Sequence, residues 1–258
     1  MRLIKLKMIV ISLLLFSLIA VGCNNTQSEN IELNIAAASD LTLAFTEVGK
    51  VFEEETGIKV TFSFGSTGQL ADQIEHGAPF DVFAAANKQF IEQLDEKELV
   101  VSDTKMLYAL GRIGLATKVD QQLKIETLEQ LVESAVVKVA IANPDHAPYG
   151  LAAKQALQNA GVWETIEDKL VFGRNISDTL TFVETGNVEV AIIALSLVKE
   201  EEVNFTLIDD QLHAPLEQMI AVIKQTKHEE QARAFIDFIR GPIGKPIMES
   251  YGFVVPVE

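Results

Sequence analysis

The sequence predicts an α/β protein in which mainly parallel sheets are covered by helices on both faces. Short segments rich in β-branched residues alternate with segments that repeat apolar residues at helical spacing, as in Leu41, Phe45, Val48 and Phe52. A strand followed by a helix, repeated along a chain, produces parallel strands with helices packed on both sides. The 258 residues are enough for one large domain or two medium ones.

The predicted strands are short and are bounded by turn residues or helices. In chain order they are IELNIAAA, IKVTFSF, FDVFAAA, KMLYALGRIGLAT, VVKVAIA, KLVFG, VEVAIIAL and EQMIAVI. The helices predicted between them are LTLAFTEVGKVFEEET, TGQLADQIEHG, ANKQFIEQLDEKE, GLAAKQALQNAG and SDTLTFVETG. A final helix, EEQARAFIDFIRG, follows the last strand.

Residues 1–22 are predicted to be a lipoprotein signal peptide. A basic start precedes an apolar run at 8–21, which is short for a membrane span and typical of a secretory signal. Cys23 follows this run as in a bacterial lipobox, although Ala20 stands where that pattern prefers leucine. The alternative is an ordinary signal peptide with an incidental cysteine. Residues 23–30 form a polar tether, and the protein is expected to be exported and anchored by lipid to the outer face of the cytoplasmic membrane, or to be periplasmic.

The charge of the chain argues against a nucleic-acid partner. The formal net charge is −16, and because the signal segment holds Arg2, Lys5 and Lys7 but no acid, its removal takes the charge to about −19. A surface of this kind has no basic stripe that could displace counterions from a phosphate backbone.

Polar and small residues collect where predicted strands give way to helices. Such turns occur at 38–40, 64–70, 143–150 and 173–180. In open parallel sheets, ligands bind beyond the carboxyl ends of strands, where helices begin. Each turn taken alone is explained by helix capping. Several helix N-termini that converge on one point would instead form an anion site, because they offer free N–H groups and partial positive charge.

These segments together resemble the ModA family, the molybdate-binding receptors of ABC importers. The motifs are AAASDLT, FSFGSTGQLADQIEHGAPFDVFAAA, NPDHAPYG and GPIGKPIMESYGF, which extend over nearly the whole mature chain. The resemblance implies a periplasmic-binding-protein-like fold of type II, with the ligand in a cleft between two domains. The chain would cross near LYALGRIGL and return near LEQMIAVIK, which gives a domain of 31–110 plus 222–258 and a second of 111–221.

The resemblance also implies which residues bind the ligand. Ser39 stands where the family has its first ligand hydroxyl, and in GSTG the second hydroxyl is assigned to Thr67, with Ser66 as the fallback. Tyr149 and Ile176 fall at positions where members of the family donate backbone N–H groups to the ligand.

Two further positions bear on which anion is bound. Some relatives have a tyrosine whose hydroxyl donates to the ligand at the position of Ala194, so this chain lacks that donor. Ser196 lies nearby in the sequence, and the phenol of Tyr149 is another group that could donate in its place. Asp40 either caps its helix or faces the ligand, and in the second case it would accept a proton from an anion such as hydrogen phosphate.

The sequence therefore predicts a receptor for molybdate or tungstate that uses neutral donors, without a catalytic residue, cofactor or metal cation. Its expected partners are the oxyanion, an importer permease and the membrane through Cys23, and the protein is expected to be a monomer. Receptors for phosphate, sulfate or a small organic acid are the alternatives within this class. An exported hydrolase is less favoured, because no GxSxG, P-loop, HExxH or metal-spaced Cys/His pattern occurs and His146 alone of the histidines falls in a predicted turn. A structural or adhesive exported protein would not need several capped turns aimed at one cleft.

Overall fold

Two five-stranded sheets with helices against them make up residues 31–256, the part of the chain described by this computed structural model. The strands are β1 (Glu32–Ala38), β2 (Lys59–Gly65), β3 (Val82–Ala85), β4 (Met106–Gly111), β5 (Ile113–Lys118), β6 (Val139–Ala142), β7 (Leu170–Gly173), β8 (Val190–Ala194), β9 (Val203–Leu207) and β10 (Leu216–Val222). The helices are α1 (Thr42–Thr56), α2 (Thr67–Glu75), α3 (Lys88–Glu96), α4 (Pro148–Asn159), α5 (Trp163–Ile166), α6 (Ile176–Glu184), α7 (Glu229–Arg240) and α8 (Gly244–Ser250).

The strand order brings the predicted turns together in pairs. The first sheet has the order β2-β1-β3-β10-β4 and the second β7-β6-β8-β5-β9. In the first, β1 runs parallel to β2 and Ala38 lies opposite Gly65, so both strands end at one edge. In the second, β6 runs parallel to β7 and Ala142 lies opposite Gly173. The turns after these four strands therefore start from matching edges of the two sheets.

Side chains of the first sheet alternate between two hydrophobic clusters, as expected for a sheet buried on both faces. Ile35 and Ala37 of β1 belong to a cluster that includes Phe45 of α1, whereas Ala36 packs in a second cluster with Leu70 of α2 and residues of α3. The α/β prediction with helices on both faces is thus confirmed. The sheets were expected to be mainly parallel, whereas each is mixed, with its pairings divided equally between parallel and antiparallel.

The structure differs from the sequence prediction in one predicted strand and in three elements that were not predicted. The segment 105–117, predicted as one strand, is divided at Arg112 into β4 and β5, which belong to different sheets. The strand β9 and the helices α5 and α8 were not predicted, because VNFTL, WETI and GKPIMES are short segments and GKPIMES has a proline near its start.

The predictions at the N-terminus and for the domains are not tested by this structure. The signal peptide, Cys23 and the tether lie outside the described residues, and the domain boundaries stay a prediction. None of the helices in residues 31–256 has the length and apolar character needed to cross a membrane.

Candidate functional site

The four turns meet around one small cavity between the two sheets. Every residue nominated from the sequence as a ligand contact lines it. The lining consists of Ala38, Ser39, Asp40, Gly65, Ser66, Thr67, Ala86, Ala147, Pro148, Tyr149 and Ile176. Because this lining contains no lysine or arginine, polar recognition in the cavity must come from hydroxyl, backbone and carboxyl groups.

Ser39 begins a single 3-10 turn, Ser39–Leu41, that joins β1 directly to α1. Its carbonyl oxygen accepts hydrogen bonds from the hydroxyl groups of Thr42 (2.7 Å) and Ser177 (2.9 Å). Its own hydroxyl is buried at the cavity and makes no hydrogen bond with another of the described residues. The backbone of Ser39 is thus fixed on both sides, and the proton of its hydroxyl is not used by a described neighbour.

Thr67 and Ser66 have different hydrogen bonds, which distinguishes the two adjacent hydroxyls. The Thr67 hydroxyl accepts a hydrogen bond from the N–H of Ala86 (3.2 Å), and its proton is not donated to any described group. Ser66 donates its proton to the carbonyl of His146 (2.6 Å), and its Oγ lies 2.8 Å from the Nδ1 of that residue. A hydroxyl has one proton to donate. Thr67 is therefore the hydroxyl that can donate into the cavity, and Ser66 is already engaged.

Tyr149 and Ile176 lie in the first turns of two helices that pack against the second sheet. The helix α4 starts with Pro148, which has no N–H, so Tyr149 carries the first backbone donor of that helix. Ile176 is the first residue of α6, and Asn175 caps this helix by accepting from the N–H of Asp178 (2.9 Å). The first N–H groups of a helix have no partner within it. Both residues are buried at the cavity wall and present such groups there.

Asp40 is the most buried polar group at the cavity and forms part of a polar cluster. Its Oδ2 accepts from the phenol of Tyr149 (3.0 Å) and from Nε2 of Gln218 (2.9 Å). Its Oδ1 is buried and has no hydrogen-bond partner among the described residues. The phenol proton of Tyr149 is thus used on Asp40, so that phenol does not replace the donor missing at Ala194.

Burial dominates the ionisation of this cluster. Desolvation raises the pKa of Asp40 to about 7, against the opposing hydrogen bonds from Tyr149, its own backbone and Gln218. Burial and the nearby Asp40 raise the pKa values of Tyr108 and Tyr149 well above that of an ordinary phenol. Both phenols therefore stay protonated and act as hydrogen-bond donors at neutral pH.

Direct contacts join the two sides of the cavity. The N–H of Gly68 donates to the carbonyl of His146 (2.9 Å), beside the Ser66 contact described above. On the other side, the hydroxyl of Ser196 donates to the backbone carbonyl of Asp40 (2.7 Å). Ser196 is therefore a structural contact between the sheets and not a substitute for the donor missing at Ala194.

Gln218 was missed from the sequence, although it is fully buried and contacts Asp40. The signal in the sequence was that Gln218 directly precedes the four apolar residues MIAV of a predicted strand. A polar side chain buried there without a hydrogen bond would be costly. Its partner lies 178 positions away, so only the fold shows what satisfies it.

Comparison with known proteins agrees with this arrangement. Residues 33–254 match the family described as bacterial extracellular solute-binding protein. The chain belongs to this family. This solute-binding protein is 34% identical to the molybdate-binding protein ModA of Rhodobacter capsulatus over 86% of its own length and 88% of that protein. It is also 34% identical to ModA of Azotobacter vinelandii, over 86% and 89% of the two chains. The resemblance to ModA proposed from the motifs is confirmed.

Solved structures show how widely this fold is used. The solute-binding protein superposes on the periplasmic molybdate-binding protein of Azotobacter vinelandii with a TM-score of 0.83 and 24% identity, over 87% of its length and all of the other chain. It also superposes on the sulfate-binding protein SubI of Mycobacterium tuberculosis with a TM-score of 0.72 and 15% identity, over 86% of each chain. At these identities the match establishes the fold, and the choice of anion has to be argued from the site.

Proposed function

We propose that this protein is the extracytoplasmic receptor of an ABC importer and binds molybdate and tungstate in the cavity between its two sheets. The observation that carries the proposal is the convergence of four strand-to-helix turns on one cavity lined without lysine or arginine. Relatives named as molybdate-binding proteins at 34% identity support the same ligand.

The proposed contacts are the hydroxyls of Ser39 and Thr67 and the backbone N–H groups of Tyr149 and Ile176. Hydrogen bonds to a charged group contribute about 1.5–3 kcal/mol each. Four such bonds would contribute about 6–12 kcal/mol, from which the costs of desolvation and closure are subtracted. Ser66 has a different role in this proposal, because its proton is donated to His146 across the cavity.

Neutral donors select an anion by its size and protonation state. Molybdate and tungstate are nearly equal in size and fully deprotonated at neutral pH, so a cage of donors should bind both. Sulfate is smaller and would leave some donors without an acceptor. Hydrogen phosphate is the second candidate, and the unpartnered Oδ1 of Asp40 is the observation that favours it.

Thermal melting of the soluble chain from residue 24 onward, measured with each of these four anions, tests the assignment. A ligand that binds the folded state alone must raise the melting temperature. We expect molybdate and tungstate to raise it by similar amounts and sulfate and phosphate to have little effect. If phosphate gave the larger increase, the molybdate assignment would be wrong, although an anion receptor would still be indicated.

Two domains and an importer permease complete the proposed mechanism. The first domain would consist of 31–110 and 222–258, and the second of 111–221. The two domains would close on the anion, and the closed form would dock on the permease and release its ligand there. No catalytic step is proposed, since the cavity groups are suited to binding an anion, and the receptor is proposed to act as a monomer.

Cys23 is proposed to carry the lipid that anchors the receptor to the outer face of the membrane. The replacement Cys23→Ser should move the protein from the membrane fraction to the soluble fraction or block its processing, because the lipid-bearing thiol is lost. The measurement is fractionation of cells with sequencing of the mature N-terminus. A wild-type protein that is wholly soluble and cleaved elsewhere would contradict lipidation.

A further inference from the structure

The unpartnered Oδ1 of Asp40 is the feature of the cavity that the donor cage leaves unexplained. Asp40 is fully buried, lines the cavity and follows Ser39, whose hydroxyl is a proposed donor to the ligand. A buried carboxylate oxygen without a hydrogen bond is unfavourable unless something else contacts it. A dianion bound in this cavity would have Asp40 as part of its surroundings.

The rest of the cluster holds the Asp40 carboxyl group in place. Its Oδ2 is fixed by Tyr149 and Gln218, which come from the second and first sheets. The end of β4 is shaped for this cluster, since a Cβ added to Gly111 would lie 2.1 Å from the Tyr149 hydroxyl oxygen. Asp40 therefore cannot turn its side chain without breaking the hydrogen bonds from Tyr149 and Gln218.

No cation neutralises this carboxyl group within the described residues. The ionisable groups that face it are the phenols of Tyr108 on β4 and Tyr149 on α4. The turn 195–197, which contacts the Ser39–Leu41 turn, has the sequence LSL and carries no charge. On α6, Asp178 pairs with Arg174 at 2.7 Å.

Charged groups on the other neighbouring elements are engaged elsewhere. On α1, Glu47 accepts a hydrogen bond from Tyr251 (2.7 Å), and on β2, Lys59 pairs with Glu32 (2.8 Å). On β10, Glu217 pairs with Lys88. Asp40 thus meets a bound anion with only neutral groups around it.

We propose that Asp40 is protonated in the complex, so that binding of one oxyanion dianion is coupled to uptake of one proton, which Asp40 then shares with a ligand oxygen. The inference deepens the proposed function and depends on it. A charged carboxylate would repel the dianion, whereas the protonated group is neutral and supplies an additional donor. The proton comes from solvent and forms the O–H bond at Oδ1, because molybdate carries none at neutral pH.

The direction of the pH dependence follows from this coupling. Burial already raises the pKa of Asp40 to about 7, and a neighbouring dianion can only raise it further. Below this value Asp40 is protonated before the ligand arrives, and the affinity does not depend on pH. Above it, one proton must be taken up, so the affinity should fall by about tenfold for each unit of pH.

Calorimetry of molybdate binding measures the proton directly. The titration is done at about pH 8 in two buffers of different ionisation enthalpy, neither of them phosphate, because the difference in heat gives the number of protons taken up. We expect about one proton per molybdate for the wild type and none for Asp40→Asn, since asparagine resembles the neutral acid. Between about pH 6.5 and 8.5 the affinity of this variant should change by less than about twofold.

Two further variants separate Asp40 from other groups. His146→Gln should still take up the proton, which excludes the side chain that ordinarily titrates in this range. Tyr149→Phe removes a hydrogen bond that favours the charged form of Asp40, so the fall in affinity should begin at higher pH. This second variant keeps the proposal testable if Asp40→Asn does not fold.

The outcomes are distinguishable. Molybdate binding without proton uptake by the wild type would overturn the role of Asp40 and leave the proposed function intact. Proton uptake that persists in Asp40→Asn, or that is lost in His146→Gln, would assign the proton to another group and also overturn it. If the wild type bound none of the four anions, both proposals would fall.

Discussion

Replacing Ser39 and Thr67 together with alanine is expected to weaken molybdate binding by about 2–6 kcal/mol, since each variant removes one donor to a buried charged acceptor at about 1–3 kcal/mol. Both hydroxyls are buried at the cavity, and neither donates its proton to another described group. Calorimetry on the two single variants and the double variant would measure the loss and show whether the contributions add.

A matched control for these variants is Thr46→Ala. Thr46 is exposed on α1, and its hydroxyl bonds only the carbonyl of Thr42 within the same helix (2.6 Å). This variant should keep its affinity for molybdate. Ser66→Ala should have a smaller effect than Thr67→Ala, because Ser66 contacts His146. Unchanged binding in the double variant, or a larger loss in Ser66→Ala, would contradict the assignment of the donors.

Gly68→Ala is expected to lower the affinity for molybdate by at least about tenfold, or 1.4 kcal/mol, without touching a proposed ligand contact. A Cβ at this position would lie 2.8 Å from the carbonyl oxygen of His146 and 3.1 Å from its Cα. This contact is with backbone, so it cannot be relieved by a change of rotamer. The variant should therefore obstruct the approach of the two sides of the cavity.

The unliganded protein provides the internal control for this prediction. Gly68 lies within the first turn of α2, where alanine is intrinsically more favourable than glycine by up to about 1 kcal/mol. The melting temperature without ligand should thus stay the same or rise, while the increase produced by molybdate becomes smaller. Gln69→Ala, at the exposed neighbouring position, should preserve that increase. Normal binding by Gly68→Ala would show that the contact with His146 is not needed.

The fold could be predicted largely because its patterns are local. Alternating strands and amphipathic helices follow from periodicity, and the turns at Ser39, Thr67, Tyr149 and Ile176 could be recognised because small and hydroxyl residues stand where helices begin. The division of 105–117 at Arg112 could not be predicted. Residues on both sides have the same apolar character, and only the packing decides that the chain changes sheets there.

The sequence nominated residues that line one cavity, but it could not give their hydrogen bonds. Sequence reasoning nominated both Ser66 and Thr67, yet the choice depends on His146, which lies 80 positions away and receives the Ser66 proton. Asp40 was expected to cap its helix or to face the ligand, and it proves to be clamped by Tyr149 and Gln218. Such pairings are invisible to local patterns because they form only when distant segments meet.

The position of β10 also determines when the first sheet can be completed during synthesis. This strand lies between β3 and β4, and Leu216 pairs with Gly111, so a neighbour of β4 is supplied more than a hundred residues after β4 itself. Contacts between such distant segments make folding slow. A nascent or truncated chain that ends before β10 leaves β4 without a partner and one edge of β3 open, and unpaired strand edges are the places where separate chains associate.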